Sequence, residues 1–398
     1  MISFEAAYQL VLDHSNDYGT EHVSLSESTG RVLAAPILAD RDFPPFDRAT
    51  KDGIALSYSA VLEGITHFKI QGIIAAGTAK TSLDDRYGCM EIMTGAIVPQ
   101  GADTVVMYED IIIENGVAML QKPPKQAQNI HEKGSDETKA GVVLQADIKI
   151  SAAEIGVLAS VGKAQVPVKR LPKITVVSSG NELVNVNQQP LPHQIRRSNS
   201  YALQSLLFTE NIKAALIHFQ DDQQEIVTAL SDLMSKTDVL LISGGVSKGK
   251  FDFLPEALAN LGVKKVFHGV RQRPGKPFWF GKHETTNTVV FSFPGNPVST
   301  FANYHIYFKP WLNRSSGMPI PKIDVHLNET ISNGTDLTRF IRAKIHITDG
   351  FIKANIVHGN GSGDLTSLAK SDGFIQLAPK KTYTVGEQVP FIPTRTGY

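Results

Sequence analysis

Four short stretches place carboxylates, glycines and small polar side chains where apolar runs end: SSGNEL (residues 178–183), FQDD (219–222), SGGVSKGKFD (243–252) and FPGNP (293–297). A fifth, RPGKPF (273–278), holds Arg273 and Lys276 between prolines. Gly180, Gly244, Gly245 and Gly295 permit positive φ or a close backbone approach to a ligand. The run of Gly244, Gly245, Val246 and Ser247 can point several N–H groups one way, as in an anion nest, although the GxxxxGK[ST] phosphate loop is absent. Ser179 is a small residue at a strand exit, and Glu182 would face the same rim. Arg273 offers a forked donor set and Lys276 a point charge, both suited to a multiply charged anion. Pro294, Asn296 and Pro297 would give a stiff floor with one amide. Asp252 has two open readings. It caps the helix that begins near Leu254, or it is a hard oxygen ligand for Mg²⁺ bound to phosphate. Taken singly, each charged residue is as well explained by a solvated loop. In combination they favour a phosphate-containing ligand.

The first half of the chain has its own dense stretches. FPPFDRATKDGIAL (43–56) contains Asp47 and Asp52, MTGAIVPQGADTVVMYED (93–110) contains Thr94 and Glu109, and QNIHEKGSD (128–136) contains His131, Glu132 and Asp136. A solvated hairpin turn accounts for each alone. His131 has no second histidine at metal spacing, so zinc is not expected.

The elements that must carry these residues follow from periodicity. KITVVSSG, KAALIHFQDD, DVLLISGG and TVVFSFPGNP read as strands, with SYALQSLLFTENI and QQEIVTALSDLMSK as helices between them. That alternation predicts a three-layer α/β domain over residues 171–315, and ligands in such sheets bind beyond the carboxyl ends of the strands. Short alternating runs predict a β-rich lobe over 39–131 and a small C-terminal β domain over 316–398. Residues 1–38 and 132–170 are grouped as a helical and mixed domain into which the lobe is inserted. Phe4, Ala7, Leu10 and Val11 have helical spacing, and Ser151 with Glu154 has the capping-box spacing.

Size and composition bound the function. The 398 residues carry 39 basic and 39 acidic side chains, so binding of nucleic acid or membrane by bulk charge is not expected. The single cysteine, Cys89, rules out a disulfide framework within the chain. No signal peptide and no apolar run long enough to span a bilayer is evident. A cytoplasmic protein is the expectation.

In order and spacing, these stretches resemble the molybdopterin molybdenumtransferases, the family of the bacterial MoeA proteins and the E domain of gephyrin. The family's FDxSxMDGxA loop appears as FDRATKDGIA (46–55), its MTGAxVPxGxDxVVxxE stretch at residues 93–109, and its strand-end signatures as SSGNEL, SGGVSKGKFDF, RPGKPF and FPGNPVS. The resemblance implies a homodimer of four-domain subunits, with a molybdopterin-binding-like third domain, a β-barrel-like fourth and an active cleft shared between subunits. It implies Mg²⁺-dependent insertion of molybdate into adenylylated molybdopterin with release of AMP, and contact with the upstream adenylyltransferase. It makes Glu182, Asp252, Asp136 and Lys276 the catalytic set and adds Asp52 and Asp221, or Asp222, to Asp252 as metal ligands. Thr94, Ser179, Gly180, Gly244, Gly245, Ser247, Arg273, Pro294, Gly295, Asn296 and Pro297 would contact substrate.

Four positions depart from the family pattern: Arg48, Lys51, Asn181 and Arg197. Two acids are lost and three cations added. Besides the transferase, two readings stay open: a diverged relative that binds the pterin nucleotide or scaffolds partners, and an unrelated nucleotide hydrolase.

Overall fold

The computed structural model describes residues 1–246 and 253–395. They divide into two compact units. One holds residues 1–21, 30–32 and 168–395, and the other residues 22–29 and 33–167.

The first unit is built on a six-stranded sheet in the order Ala215–Phe219, Ile174–Ser179, Val239–Ser243, Val289–Phe293, Trp279–His283, Val263–His268. The first four strands run parallel, Trp279–His283 runs opposite to them, and Val263–His268 pairs antiparallel with Trp279–His283. The three central parallel strands are wholly buried, and residues of opposite parity feed opposite faces, as the pleat requires. Val176, Leu241 and Phe291 join one core with Leu203, Leu207 and Ala302. Val177, Leu240 and Val290 join the other with Ile226, Leu230, Ala257 and Leu258. Helices thus cover both sides, which gives the three layers expected from the strand–helix rhythm.

The helix Phe4–Asp13 belongs to this unit. Phe4, Ala7 and Val11 lie in the larger α/β core. Phe4 meets Phe340 at 5.1 Å between ring centroids, and the Trp311 indole N–H donates to the His14 carbonyl at 2.9 Å. Its apolar stripe is legible in sequence, but its partners are some 300 residues downstream.

C-terminal to the sheet domain, the strands Ile323–Leu327, Thr338–Thr348, Phe351–Ile356, Gly373–Leu377 and Gln388–Pro393 close into a barrel, because Thr338–Thr348 pairs with both Phe351–Ile356 and Gly373–Leu377. Closure removes the unpaired edges. In the second unit, six strands between residues 53 and 120 form one sheet. The helix Ala152–Ser160 carries the anticipated capping box, with Glu154 Oε2 accepting the Ser151 N–H at 2.7 Å.

The helix Pro297–Asn303 continues through a π-turn, Tyr304–Phe308, into Lys309–Ser315. His305 on that turn is buried against Phe301, its Nε2 lacks a partner among the described residues, and burial above all pushes its pKa down to about 3. The folded protein keeps it neutral, while the unfolded chain takes up the proton near 6.5. Stability from this residue is therefore complete above about pH 6.5 and is lost as pH falls toward about 3, with a slope of up to about 1.4 kcal/mol per pH unit. His305→Phe is expected to flatten the acid side of the urea-unfolding profile by about that slope between pH 6 and 4. Fluorescence is the measurement, since both tryptophans, Trp279 and Trp311, lie in this unit's cores. An unchanged slope refutes the assignment.

Candidate functional site

The parallel strands end together, and the loops that follow enclose a cavity of about 830 Å³. Gly180 opens the loop after Ile174–Ser179 with φ 140°. A Cβ there would lie 2.5 and 2.8 Å from the Glu182 carboxylate oxygens, so the missing side chain is what lets Glu182 fold back toward the strand ends. Asn181 and Asp221 tie this loop to the next. The Asn181 N–H donates to Asp221 Oδ2 at 3.2 Å, and the Asp221 N–H donates to Asn181 Oδ1 at 3.0 Å. A neutral amide at 181 makes this clasp without adding a third carboxylate beside Glu182 and Asp221. The two aspartates of FQDD thereby separate in role. Asp221 lines the cavity, whereas Asp222 caps the helix Gln223–Lys236 by accepting the Gln224 and Glu225 N–H groups, each at 2.9 Å.

On the far side, Gly244 and Gly245 have φ 102° and 68°. A Cβ on Gly295 would stand only 3.7 Å from the Gly244 Cα, so the two glycine turns lie against each other. Asn199 holds them there. Its Nδ2 donates to Ser243 Oγ at 2.8 Å and to the Gly295 carbonyl at 2.7 Å. Thr300 adds a bond from Oγ1 to the Pro294 carbonyl at 2.6 Å. The barrel domain contributes Gly363 and Leu365 to the wall, anchored where the Val298 N–H donates to the Ser362 carbonyl at 3.0 Å.

Charge within the cavity is mixed. Glu182 and Asp221 face Arg196 and Arg197. His218 donates to or accepts from Ser178 Oγ at 3.0 Å. Burial and then the Arg197 charge hold its pKa below the usual 6.5, opposed by the Ser178 backbone and by Asp221 and Glu182. Asn199 and His218 were not singled out as site residues from sequence. The partners of Asn199 lie 44 and 96 positions away, and the only local sign was its place in the polar run RRSN ahead of a helix.

The structure brings Ser179, Gly180, Glu182, Asp221, Gly244, Gly245, Pro294, Gly295, Asn296 and Pro297 to this cavity. The RPGKPF loop contributes Pro277 alone. Arg273 and Lys276 are exposed and are not among the residues that line this cavity. The Arg273 backbone lies in strand register with Arg339 of the barrel, and Gln272 Nε2 fixes the turn by donating to the Pro274 carbonyl and Asn303 Oδ1, both at 2.9 Å. Ser247 and Asp252 lie outside the described residues. The N-cap position of the helix Leu254–Asn260 is Phe253.

Asp52, Thr94 and Asp136 belong to the second unit. Thr94 donates to Asp52 Oδ1 from its N–H at 2.6 Å and from its hydroxyl at 2.8 Å, and these two bonds hold the Asp52 pKa below the usual carboxylate value. Asp136 bonds His131 Nε2 at 2.8 Å, and Arg48 bonds His131 Nδ1 at 3.1 Å. Among the described residues no three His, Cys, Asp or Glu side chains converge as a metal cluster. Glu182 and Asp221 nonetheless fit Mg²⁺, which takes one or two carboxylates and completes its shell with water and substrate phosphate.

Family models match the chain along its length: the MoeA N-terminal region, domains I and II, at residues 2–162; a probable molybdopterin binding domain at 175–314; and the MoeA C-terminal region, domain IV, at 324–394. A Synechocystis protein named molybdopterin molybdenumtransferase is 39% identical over 98% of this chain and 99% of its own. A Bacillus subtilis protein of the same name is 32% identical over 94% and 90%. The crystal structure of a molybdopterin biosynthesis MoeA protein from Pyrococcus horikoshii superposes with a TM-score of 0.83 at 27% identity, covering 100% of both chains. The chain belongs to the molybdopterin molybdenumtransferase family.

Because Asn199 spans the two glycine turns, Asn199→Asp should disturb them. A carboxylate cannot donate, and it would face the Gly295 carbonyl. The expected cost is about 1–3 kcal/mol, read by urea unfolding at pH 7. A variant as stable as the parent removes Asn199 from this role.

Proposed function

We propose that this chain, as a member of the molybdopterin molybdenumtransferase family, inserts molybdenum from molybdate into adenylylated molybdopterin and releases AMP. The observation that carries the reading is the convergence of four strand-end loops, with Glu182 and Asp221, on one cavity within the residues matched to a probable molybdopterin binding domain. At about 830 Å³ it is of a size to bury a substrate.

In this reading the glycine turns at Gly180, Gly244, Gly245 and Gly295 let the substrate approach the backbone, and Ser179, Asn296 and the two prolines of FPGNP orient it. Glu182 and Asp221, with Asp252 from the sequence, would hold Mg²⁺, whose contribution is to neutralise phosphate charge. Lys276 precedes a lining proline, and its long flexible stem suits it to reach a phosphate at the rim. Arg273 has a weaker claim because it is committed to the barrel edge. Ser247 would belong to the same nest. The second unit's Asp52, Thr94 and Asp136 are assigned to the same reaction on the family resemblance, with Asp52 as a further candidate ligand. No helix among the described residues is long and apolar enough to cross a membrane, in keeping with a protein that works in the cytoplasm and receives its substrate from an adenylyltransferase.

The non-catalytic alternative is favoured by one feature, the amide and guanidinium at Asn181 and Arg197. Mixing the purified protein with adenylylated molybdopterin, molybdate and Mg²⁺ separates the two: AMP release supports the transferase, and binding without release supports the alternative. Glu182→Gln and Asp252→Asn are each expected to cut AMP release by about 100-fold or more with little loss of substrate affinity. Turnover at the parental rate by either variant removes that carboxylate from the chemistry. A solution mass near twice the 43.3 kDa chain is also expected for the homodimer, and a monomer at micromolar concentration would refute it.

A further inference from the structure

Arg197 is the cavity group whose bonding is least complete. It follows the short strand Ile195–Arg196, which pairs in parallel with Leu183–Val184 just after Glu182. The Ile195 N–H donates to the Glu182 carbonyl at 2.8 Å, and the Arg197 N–H donates to the Val184 carbonyl at 3.0 Å. The backbone of Arg197 is therefore fixed against the loop that carries Glu182. Its side chain lines the cavity and is half-buried. The Nε is buried without a hydrogen-bond partner, and no carboxylate forms an ion pair with the guanidinium among the described residues. The neighbouring Arg196 is exposed, and its Nε is satisfied by the Gln188 carbonyl at 3.1 Å.

An arginine cannot shed its proton to escape such a position. The guanidinium is held at the wall of a substrate-sized cavity with no carboxylate paired to it among the described residues, so its charge is available to what the cavity binds. The planar fork matches two oxygens of a tetrahedral oxyanion better than a single carbonyl. The electrostatics point the same way, since Arg197, Glu182 and Asp221 all act on His218 and so share one region. Two carboxylates there would repel a dianion unless a cation met it first.

We propose that Arg197 is a ligand for a tetrahedral dianion in the cavity, either a phosphoryl group of the substrate or free molybdate. This rests on reading the cavity as the substrate site, and it adds Arg197 to the groups that would meet the anion there.

The test uses the full-length protein and three probes, each titrated alone by calorimetry: AMP, inorganic phosphate and sodium molybdate. Arg197→Gln is expected to weaken at least one of them tenfold or more, with Arg197→Lys intermediate because it keeps the charge and loses the fork. A loss confined to AMP and phosphate identifies the phosphoryl source, and a loss confined to molybdate identifies the oxometalate. In the parental protein, phenylglyoxal labelling followed by mass spectrometry should show Arg197 protected by the effective probe while the surface residue Arg86 is not. This arm holds even if the substitutions fail to fold. The His218 imidazole, followed by NMR, should titrate at higher pH in Arg197→Gln, which reports removal of the charge from an otherwise intact site. Parental affinity for all three probes in Arg197→Gln, or no binding and no protection in the parental protein, overturns the proposal. AMP release is measured separately. Arg197-dependent binding without turnover would leave this inference standing and remove the transferase reading, and normal turnover with unaltered binding in Arg197→Gln would do the reverse.

Discussion

A parallel sheet brings the carboxyl ends of its strands to one edge, and everything at this site follows from that. Ile174–Ser179, Val239–Ser243 and Val289–Phe293 are buried on both faces, so their register is fixed by packing alone. Their last residues are small and polar, Ser179 and Ser243, or lead at once into a proline turn after Phe293. Chains leaving adjacent strands about 4.8 Å apart have little room to turn. Glycines at 180, 244, 245 and 295 relieve the crowding, and the space they leave becomes the cavity. The core thus sets the positions of the loops more firmly than the loops set themselves.

Side-chain bonds then lock loop to loop across that edge. The Asn181–Asp221 clasp joins the first and second loops, and Asn199 joins the third and fourth. Both are amides, and the choice has an electrostatic consequence. An amide gives a donor and an acceptor without charge, so the carboxylates that remain, Glu182 and Asp221, are not crowded by a third. With Arg197 added, the described part of the cavity is close to charge-balanced before any ligand enters. A metal ion with its phosphate can then bind without leaving a large uncompensated field.

How much of this was legible in the sequence depends on the range of the interaction. The strand-end motifs SSGNEL, SGG and FPGNP write their chemistry locally, since turn residues and small side chains sit next to the strands they terminate. The capping box at Ser151 and Glu154 is local for the same reason. The barrel was legible as alternation, but not that its loop carrying Gly363 and Leu365 would reach the cavity. Asn199 was missed because nothing near it reveals partners far along the chain. Arg273 and Lys276 are expected beside the ligand because charge on a rigid loop resembles an anion site. That the buried Gln272 pins this loop to Asn303 and to the Tyr307 hydroxyl was not legible, because a glutamine alone gives no such sign.

The second unit shows how a carboxylate can be prepared for one task and barred from another. Both bonds from Thr94 go to Oδ1 of Asp52, which leaves Oδ2 without a partner among the described residues. The same bonds favour the ionised form. Asp52 is therefore a standing anion with one open oxygen, suited to accept a hydrogen bond or a cation and unsuited to deliver a proton near neutral pH. Asp136 is arranged differently. Arg48 can only donate, so His131 must accept at Nδ1 and carry its proton on Nε2, from which it donates to Asp136. Arg48 thus selects the tautomer of a histidine that in turn orients the carboxylate. Arg48 departs from the family pattern, and it acts here through geometry rather than by adding charge to a pocket. The two guanidiniums differ in setting: Arg48 bonds His131 within the chain, and the Arg197 Nε has no partner among the described residues.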